Sequence, residues 1–573
     1  MGNSQKSYFH LGGSTPLLGD SIATRFMQTA RLFGNQDAVV SCHQQRQLNY
    51  RELAELVDQI AAGLVGLGFQ SGDRIGIWST NQIEWYALQL ACARIGAILV
   101  NINPAYRPGE LAYALQKSEV SGLVTIPAFR SSHYVEMLLE LIPELGNSAP
   151  GSQRGDLSCA DFPALKQVIV FDPSAPQQTN RPADGFTTWQ ELLAAGAAIA
   201  SATLDELTDA IDCDDPTNIQ YTSGTTGSPK AVVLSHHNIL NNAWFAAQSM
   251  EISEHDRVCV TVPFYHCFGT VLCNLLAVTT GAALVLPAEH FDPLATLTAV
   301  ERERCTLLHG VPTMFIAQLE HPQFARFDVS SLRTGIMAGA PCPAPLMRRV
   351  IDEMHVSDIL IGYGQTEASP LTHLTRSTDS LERRTETVGC NLPHQEVKVV
   401  DVENGRTVAV GEVGEICFRG YHVMSGYYGD ADATAESINA HGWLASGDLG
   451  TMDEAGYVKI TGRRKDMVIR GGENIYPAEV EEVMFSHPDV VEAAVFGIVD
   501  EFYGEELVAW VKRIDDSSLT TDQLRDHCRQ QLAHFKVPKN IRFVTEFPMT
   551  VTGKLQKFVM REQEAELQAT EAA

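Results

Sequence analysis

The chain has 573 residues and sets 70 Asp and Glu against 42 Lys and Arg, a net charge of −28. At roughly 150 residues per domain it is too long for one core and implies two to four lobes; 45% hydrophobic and 20% charged residues exclude global disorder. So acidic a field disfavours non-specific nucleic-acid binding, and any anionic ligand must be met by a local cationic or backbone-donor site.

The opening MGNSQKSYFH has no basic segment followed by an apolar run, so no secretory signal is expected. Gly2 begins a myristoylation-like pattern, but Lys6 stands where Ser or Thr is required. Asn49 and Glu52 have capping-box spacing, and Leu53, Leu56, Ile60, Leu64 and Leu67 recur at helical intervals up to Gly68. A strand at 74–78, a helix at 81–95, a strand at 97–100, a helix at 108–117 and a strand at 122–126 follow. Strands separated by helices of this length predict a parallel, doubly wound sheet. The apolar stretch 87–100 is broken by Arg94 and Gly96, so no segment is expected to span a bilayer.

Residues 144–186 are rich in Pro, Ser, Gln and Gly and read as surface loops around one strand at 168–171. Helix and strand alternate again over 217–362. Residues 385–460 change to short strands (396–400, 415–419, 457–460) between Gly-rich turns, which predicts a small β-barrel. After the basic GRRKDMVIR (462–470) comes an α+β pattern, with a helix at 477–486, strands at 493–498 and 506–512, and a helix at 520–533. The twelve cysteines are dispersed and include no C-x-x-C, which reads as reduced thiols in a cytosolic protein, not as a disulfide framework or a zinc site.

The most informative segment is YTSGTTGSPK, 221–230, between strand patterns at 218–221 and 231–234. Its small residues let backbone approach a polyphosphate, its hydroxyls and main-chain N–H groups can form an anion nest, and Lys230 adds charge. It is not a Walker loop, and alone it would read as a Gly/Ser/Thr turn.

The string resembles the phosphate loop of the adenylate-forming superfamily, which includes acyl-CoA synthetases, carrier-protein adenylation domains and beetle luciferases. The superfamily's other signatures follow in order: PFYHCFG (263–269), MAGAP (337–341), YGQTE (363–367), SGD (446–448), GRRKD (462–466) and TGK (552–554). The resemblance runs from about residue 20 to about 560. It implies an α/β fold: a large N-terminal AMP-binding domain (1–464) of two αβαβα sublobes plus a distorted β-barrel, and a small mobile α+β domain (465–573). It also implies carboxylate activation in two halves, in which the acid attacks the α-phosphorus of ATP to give acyl-AMP, and a thiol then displaces AMP. Such chemistry needs alignment, charge neutralisation and exclusion of water.

Roles follow by resemblance, residue by residue. Thr222, Ser223, Gly224, Thr225, Thr226, Gly227 and Lys230 match the phosphate loop. Glu367 matches the acid that holds Mg²⁺, a hard cation served by oxygen ligands, and Thr366 the residue that reaches the α-phosphate. Tyr363 matches the adenine-stacking aromatic, and Gly339, Ala340 and Pro341 the other wall of that slot. Asp448 matches the acceptor of the ribose hydroxyls and Arg463 its neighbour on ribose or phosphate. Arg463, Arg464, Lys465 and Arg470 also form a local cationic stretch on this acidic chain. Lys554 matches the lysine brought to the α-phosphate in the first half-reaction, and Lys465 the hinge on which the small domain turns. Gly471 and Gly472 match the path of the pantetheine arm of CoA. His266, Val311 and Gly364 are assigned to the acyl pocket, with His266 at its mouth.

The sequence is therefore expected to encode an ATP-, Mg²⁺- and CoA-dependent acyl-CoA synthetase. VNINPAYRPGEL (100–111), PFYHCFG and EFYGEE (501–506) lie closest to the medium-chain fatty-acyl branch, and the acid is expected to be a medium- or long-chain fatty acid. A ligase that loads a carrier-protein thiol is the alternative; a luciferase-like oxygenase and a non-catalytic nucleotide sensor are more distant. Small-molecule substrates, no nucleic acid, a cytoplasmic location and compatibility with a homodimer complete the expectations.

Overall fold

The computed structural model describes residues 5–571 apart from 147–156, 176, 178–179, 223–228, 341, 471–472, 501–502, 516 and 550–554. The chain divides into two compact units, one of His10–Glu396 and Phe418–Leu444, the other of Met1–Phe9, Val397–Cys417 and Ala445–Ala573.

The larger unit holds two sheets. In the first, Arg74–Trp78 is flanked by Ile98–Ile102 and by Gly122–Thr125, then Gln167–Val170 and Phe186–Thr188, all parallel. Pro216–Thr222 joins parallel to Ile98–Ile102, and the antiparallel Lys230–Ser235 and Gly426–Tyr427 complete that side. The second sheet runs parallel through Asp358–Gly364, Thr334–Met337, Leu307–Leu308, Arg257–Cys259, Ala283–Leu286 and Asp37–Ser41, with antiparallel strands at both ends. This is the doubly wound α/β architecture the alternation predicts.

Local signals set the helices. Asn49 accepts the Glu52 N–H while Glu52 accepts the Asn49 N–H, so the predicted capping box opens helix Tyr50–Gly66. Helix Ile83–Ile95 is buried along its whole length. Arg94 is tolerated there because its guanidinium meets Asp58 at 3.0 Å and Asp205 at 2.6 Å; an unpaired charge would cost several kcal/mol. Among the described residues no helix is long and apolar enough to cross a membrane.

The barrel expected over 385–460 is corrected. Tyr8–His10, Gln395–Val400, Gly414–Gly420, Leu444–Met452 and Val458–Arg463 form an open sheet in that order, and the first and last strands do not pair. Closure needs edge strands long and tilted enough to meet, and Tyr8–His10 spans three residues. The smaller unit continues with Val468–Arg470, Glu473–Ile475, Val490–Asp500 and Gly504–Arg513, antiparallel, with Asn540–Phe543 added parallel. Val468, Ile475, Val480, Val495, Leu507 and Leu524 fill the core between this sheet and helices Pro477–Phe485 and Thr521–Gln531.

Candidate active site

In the larger unit the glycine-rich segment links two antiparallel strands, Pro216–Thr222 and Lys230–Ser235. Thr222 pairs with Lys230 across its neck. Both arms are anchored: Tyr221 Oη donates to the Ala114 carbonyl and Tyr113 Oη to the Pro229 carbonyl, each at 2.8 Å. Ser223, Gly224, Thr225, Thr226 and Gly227 lie outside the described residues. Lys230 sends its Nζ over the Tyr427 ring, 4.6 Å from the centroid, a cation–π contact.

Glu367 sits on the tight turn Thr366–Ala368 that follows Asp358–Gly364. The chain doubles back there, and the Gln365 N–H donates to the Pro370 carbonyl at 2.9 Å. A Cβ on Gly364 would lie 1.8 Å from that same carbonyl oxygen, so close backbone approach requires the glycine of YGQTE. Gly364 therefore shapes the turn, whatever its part in an acyl pocket. The Glu367 carbonyl accepts the Met424 N–H at 2.9 Å, and its Oε1 accepts from Tyr427 Oη at 3.0 Å. Oε2 has no hydrogen-bond partner among the described residues. Burial first, and the adjacent carboxylate second, push the Tyr427 phenol upward, so it remains a donor at neutral pH. Tyr427 thus touches both Lys230 and Glu367.

Thr366 is buried, and its Oγ1 lies 3.6 Å from Cys267 Sγ. His266 caps the helix that begins at Cys267, its Nδ1 accepting the Phe268 N–H at 3.1 Å. That helix widens to a π-helical segment over Thr270–Leu275, a distortion frequent at functional sites. The PFYHCFG segment and the Glu367 turn are therefore in contact through Cys267.

The Gly310 N–H donates to the Ile336 carbonyl and the Ala338 N–H to the Gly310 carbonyl, which sets Val311 beside Gly339. Gly339 has φ +87°, and a Cβ there would come 3.1 Å from Val311 Cγ1, so MAGAP needs glycine for both conformation and space. Pro341 lies outside the described residues. Tyr363 packs on His373 and Phe418 at centroid distances of 5.9 and 6.2 Å and stays partly exposed. His309 accepts the Ile336 N–H on Nδ1, and burial lowers its pKa to about 4, so the ring is neutral.

In the smaller unit Asp448 and Arg463 face each other across adjacent strands, with Arg463 Nε 3.1 Å from Asp448 Oδ1. The stretch 463–470 is less available to an anion than its composition implies. Arg464 pairs with Glu415 at 3.0 Å and Arg470 with Glu506 through both nitrogens, at 2.6 and 3.0 Å. Lys465 makes no ion pair among the described residues, and burial and Arg463 lower its pKa. Gly471, Gly472 and Lys554 lie outside the described residues.

Sequence reasoning missed Tyr427 and Cys267. PFYHCFG contains Cys267 but assigns it no part, and nothing local to GYYGD singles out Tyr427, which acts through a sheet contact.

The AMP-binding enzyme family matches residues 26–428, and the AMP-binding enzyme C-terminal domain matches 479–554. YngI of Bacillus subtilis, which carries an acyl-CoA synthetase name, is 45% identical over 96% of this chain and 98% of its own. The mitochondrial medium-chain acyl-CoA ligase ACSF2 of Danio rerio is 40% identical over 97% and 90%. Among solved structures, ATP-bound MatB from Rhodopseudomonas palustris superposes with a TM-score of 0.79 at 28% identity, covering 94% of this chain and 98% of its own. A fatty acyl CoA synthetase of Mycobacterium tuberculosis reaches 0.70 at 27% identity, covering 95% and 98%. The chain belongs to the AMP-binding enzyme family, the adenylate-forming superfamily whose motifs it carries in order.

Proposed function

We propose that this enzyme is a medium-chain fatty-acyl-CoA synthetase that uses Glu367, Thr366, Asp448 and Lys554 in its chemistry. Activation of an acid as acyl-AMP and transfer to CoA is the activity of its family and of the relatives named above. The choice of acid and the roles of the residues are our reading. In the first half-reaction a carboxylate oxygen bonds to the α-phosphorus of ATP and pyrophosphate leaves. In the second the CoA sulfur bonds to the acyl carbon, AMP leaves and the thiol proton is released.

The observation that carries this reading is the Glu367 turn. One carboxylate oxygen is held by Tyr427, and the other has no hydrogen-bond partner among the described residues. A single anionic oxygen donor on a rigid turn suits Mg²⁺, which prefers a few protein carboxylates and shares the rest of its shell with phosphates and water. Glu367 would hold the ion, which would supply charge neutralisation to the phosphates. Lys230 and Thr222 flank the phosphate loop, Tyr363 stacks on adenine opposite Gly339–Ala340, and Asp448 accepts the ribose hydroxyls. His266 and Val311 border the acyl chain. Gly471 and Gly472 line the CoA path, and Lys465 is the hinge, which places the functional boundary at 464/465. The same proposal places the protein in the cytoplasm, and sedimentation tests whether it is a homodimer.

The test separates the half-reactions. Lys554→Ala should lower acid-dependent ATP–pyrophosphate exchange about 100-fold or more and spare thioester formation from supplied acyl-AMP. Equal loss of both halves in a folded variant would remove Lys554 from this role. An acid panel with CoA or a carrier protein as acceptor decides chain length and separates the carrier-loading alternative.

A further inference from the structure

At the open end of the phosphate-loop hairpin, opposite its turn, three side chains able to bind a metal come together. Cys213 and Asp214 precede strand Pro216–Thr222, and His237 is the second residue of helix His236–Ser249, which follows strand Lys230–Ser235. The ladder is irregular there, between Leu234 and Ser235. Beyond it the His237 N–H donates to the Cys213 carbonyl at 2.7 Å and the His236 N–H to the Asp215 carbonyl at 3.2 Å. The two chain ends are thus tied, and Cys213 Sγ, an Asp214 carboxylate oxygen and a His237 ring nitrogen all lie within 4.8 Å of one another.

We propose that Cys213, Asp214 and His237 form a zinc site that clamps the base of the hairpin carrying the phosphate loop. Tetrahedral zinc, with bonds of about 2.0–2.3 Å, sets its ligand atoms roughly 3.3–3.7 Å apart. Side-chain rotations that move these atoms by about 1 Å close the set. The donor chemistry selects the ion: a thiolate with an imidazole favours zinc over magnesium or calcium, which prefer all-oxygen shells. Asp214 is exposed, so water completes the fourth position, as in three-ligand zinc sites.

The surroundings favour a cation. Asp212 accepts the Asp214 N–H and Asp215 accepts the Asp212 N–H, both at 2.9 Å, which places two further carboxylates in the turn. Burial, and then Asp214 and Asp212, raise the Cys213 thiol pKa. Zinc therefore binds as the thiol gives its proton to solvent, and the Zn–S bond replaces S–H. His237 Nδ1 also lies 3.2 Å from the Asn241 amide nitrogen, a contact that is kept when Nε2 is the ligand and exchanged for the metal when Nδ1 is. That amide keeps its bonds to the Leu18 and His237 carbonyls, each at 3.0 Å. Sequence spacing hides the site, because C-D followed 22 residues later by the His-His pair 236–237 matches no zinc pattern.

The test uses the reduced, metal-free full chain and Co²⁺ as the spectroscopic probe. Titration should raise a thiolate-to-cobalt charge-transfer band that saturates at one equivalent and is bleached by Zn²⁺. Zn²⁺ in excess should raise Tm by about 2–4 °C. Cys213→Ser should abolish the band, and Asp214→Asn and His237→Asn should each weaken Co²⁺ binding about tenfold. Absence of the band in the wild-type chain, or its persistence in Cys213→Ser, overturns the proposal. So does wild-type titration of both Asp214→Asn and His237→Asn. If Cys213→Ser does not fold, Asp214→Asn decides alone, because its exposed side chain can be changed without disturbing the core.

Discussion

The turn that bears Glu367 in the larger unit and the segment that bears Arg463 to Arg470 in the smaller one both carry charged residues, yet they are held by different forces. Glu367 is oriented by a neutral phenol and a main-chain bond to Met424. Among the described residues its Oε2 has no hydrogen-bond partner. Arg463, Arg464 and Arg470 are oriented by carboxylates, so their charge is already met within their own unit. The difference teaches that formal charge is a poor guide to which group can receive a ligand. A carboxylate propped by neutral donors keeps its attraction for a cation, whereas an arginine in a bidentate pair has spent most of its own.

Breaking the ion-paired region should have the largest effect. Glu506 is 2% exposed, and Arg470→Met leaves its carboxylate buried without a cationic partner. With the Leu507 N–H still donating to Oε1 at 3.0 Å, the variant lacks only the charge partner; we expect a loss of about 3 kcal/mol, read by chemical denaturation, and recovery of most of it in Arg470→Met/Glu506→Leu. A double variant no better than the single one would show that the pair is not what holds this strand.

The next effect is on the chemistry itself. Glu367→Gln replaces an anionic oxygen by a weak amide ligand and should slow adenylation about 100-fold, with a higher Mg²⁺ requirement. An unchanged Mg²⁺ titration would refute the metal assignment.

Acid should separate the two regions as well. Burial holds His236, His373 and His422 at about 3 and His309 at about 4, below the ordinary 6.5. Above pH 6.5 these rings are neutral in both states and cost nothing. As pH falls from 6.5 towards these values only the unfolded chain takes up protons, so stability of the larger unit falls. Each histidine contributes about 2 kcal/mol by pH 5. Among the described residues neither ring nitrogen of His422 has a partner, so His422→Leu should flatten the acid slope of Tm and leave stability at pH 7 little changed. An unaltered slope would show that this ring is not buried neutral.

The smallest expected effect is the sharpest test of the comparison. Tyr427→Phe removes one hydrogen bond to Glu367 and keeps the ring beneath Lys230. Adenylation should fall about fivefold, equivalent to about 1 kcal/mol, with a shift in Mg²⁺ dependence that a purely structural role would not produce. Tyr427→Leu should lose more, because the cation–π contact goes too.

Much of the scaffold was legible beforehand. Helix Pro108–Lys117 and strand Arg74–Trp78 have the predicted bounds, and the Asn49–Glu52 box opens its helix as the spacing predicts. Other elements shift by a few residues, as Ile98–Ile102 does against 97–100, because strand ends follow the partner ladder and not their own composition. The strand Phe186–Thr188 starts at the last residue of the segment read as loop, 144–186, and goes unpredicted: three residues of an edge strand carry no usable alternation. The barrel failed because closure is a property of how strand edges meet.

The sequence by itself determined the order of the motifs, the helix starts and the family, since caps, periodicities and glycine-rich strings act over a few residues. Glycine in YGQTE belongs to both accounts: its presence was plain, but the Pro370 carbonyl that demands it was not. Only the tertiary structure decided which charges are met and which are available. Tyr427 reaches Glu367 across 60 residues, Arg470 reaches Glu506 across 36, and His237 reaches Cys213 from the far end of a hairpin. Such pairings depend on strand register and on which faces are buried together, and neither is written in any short window of the chain.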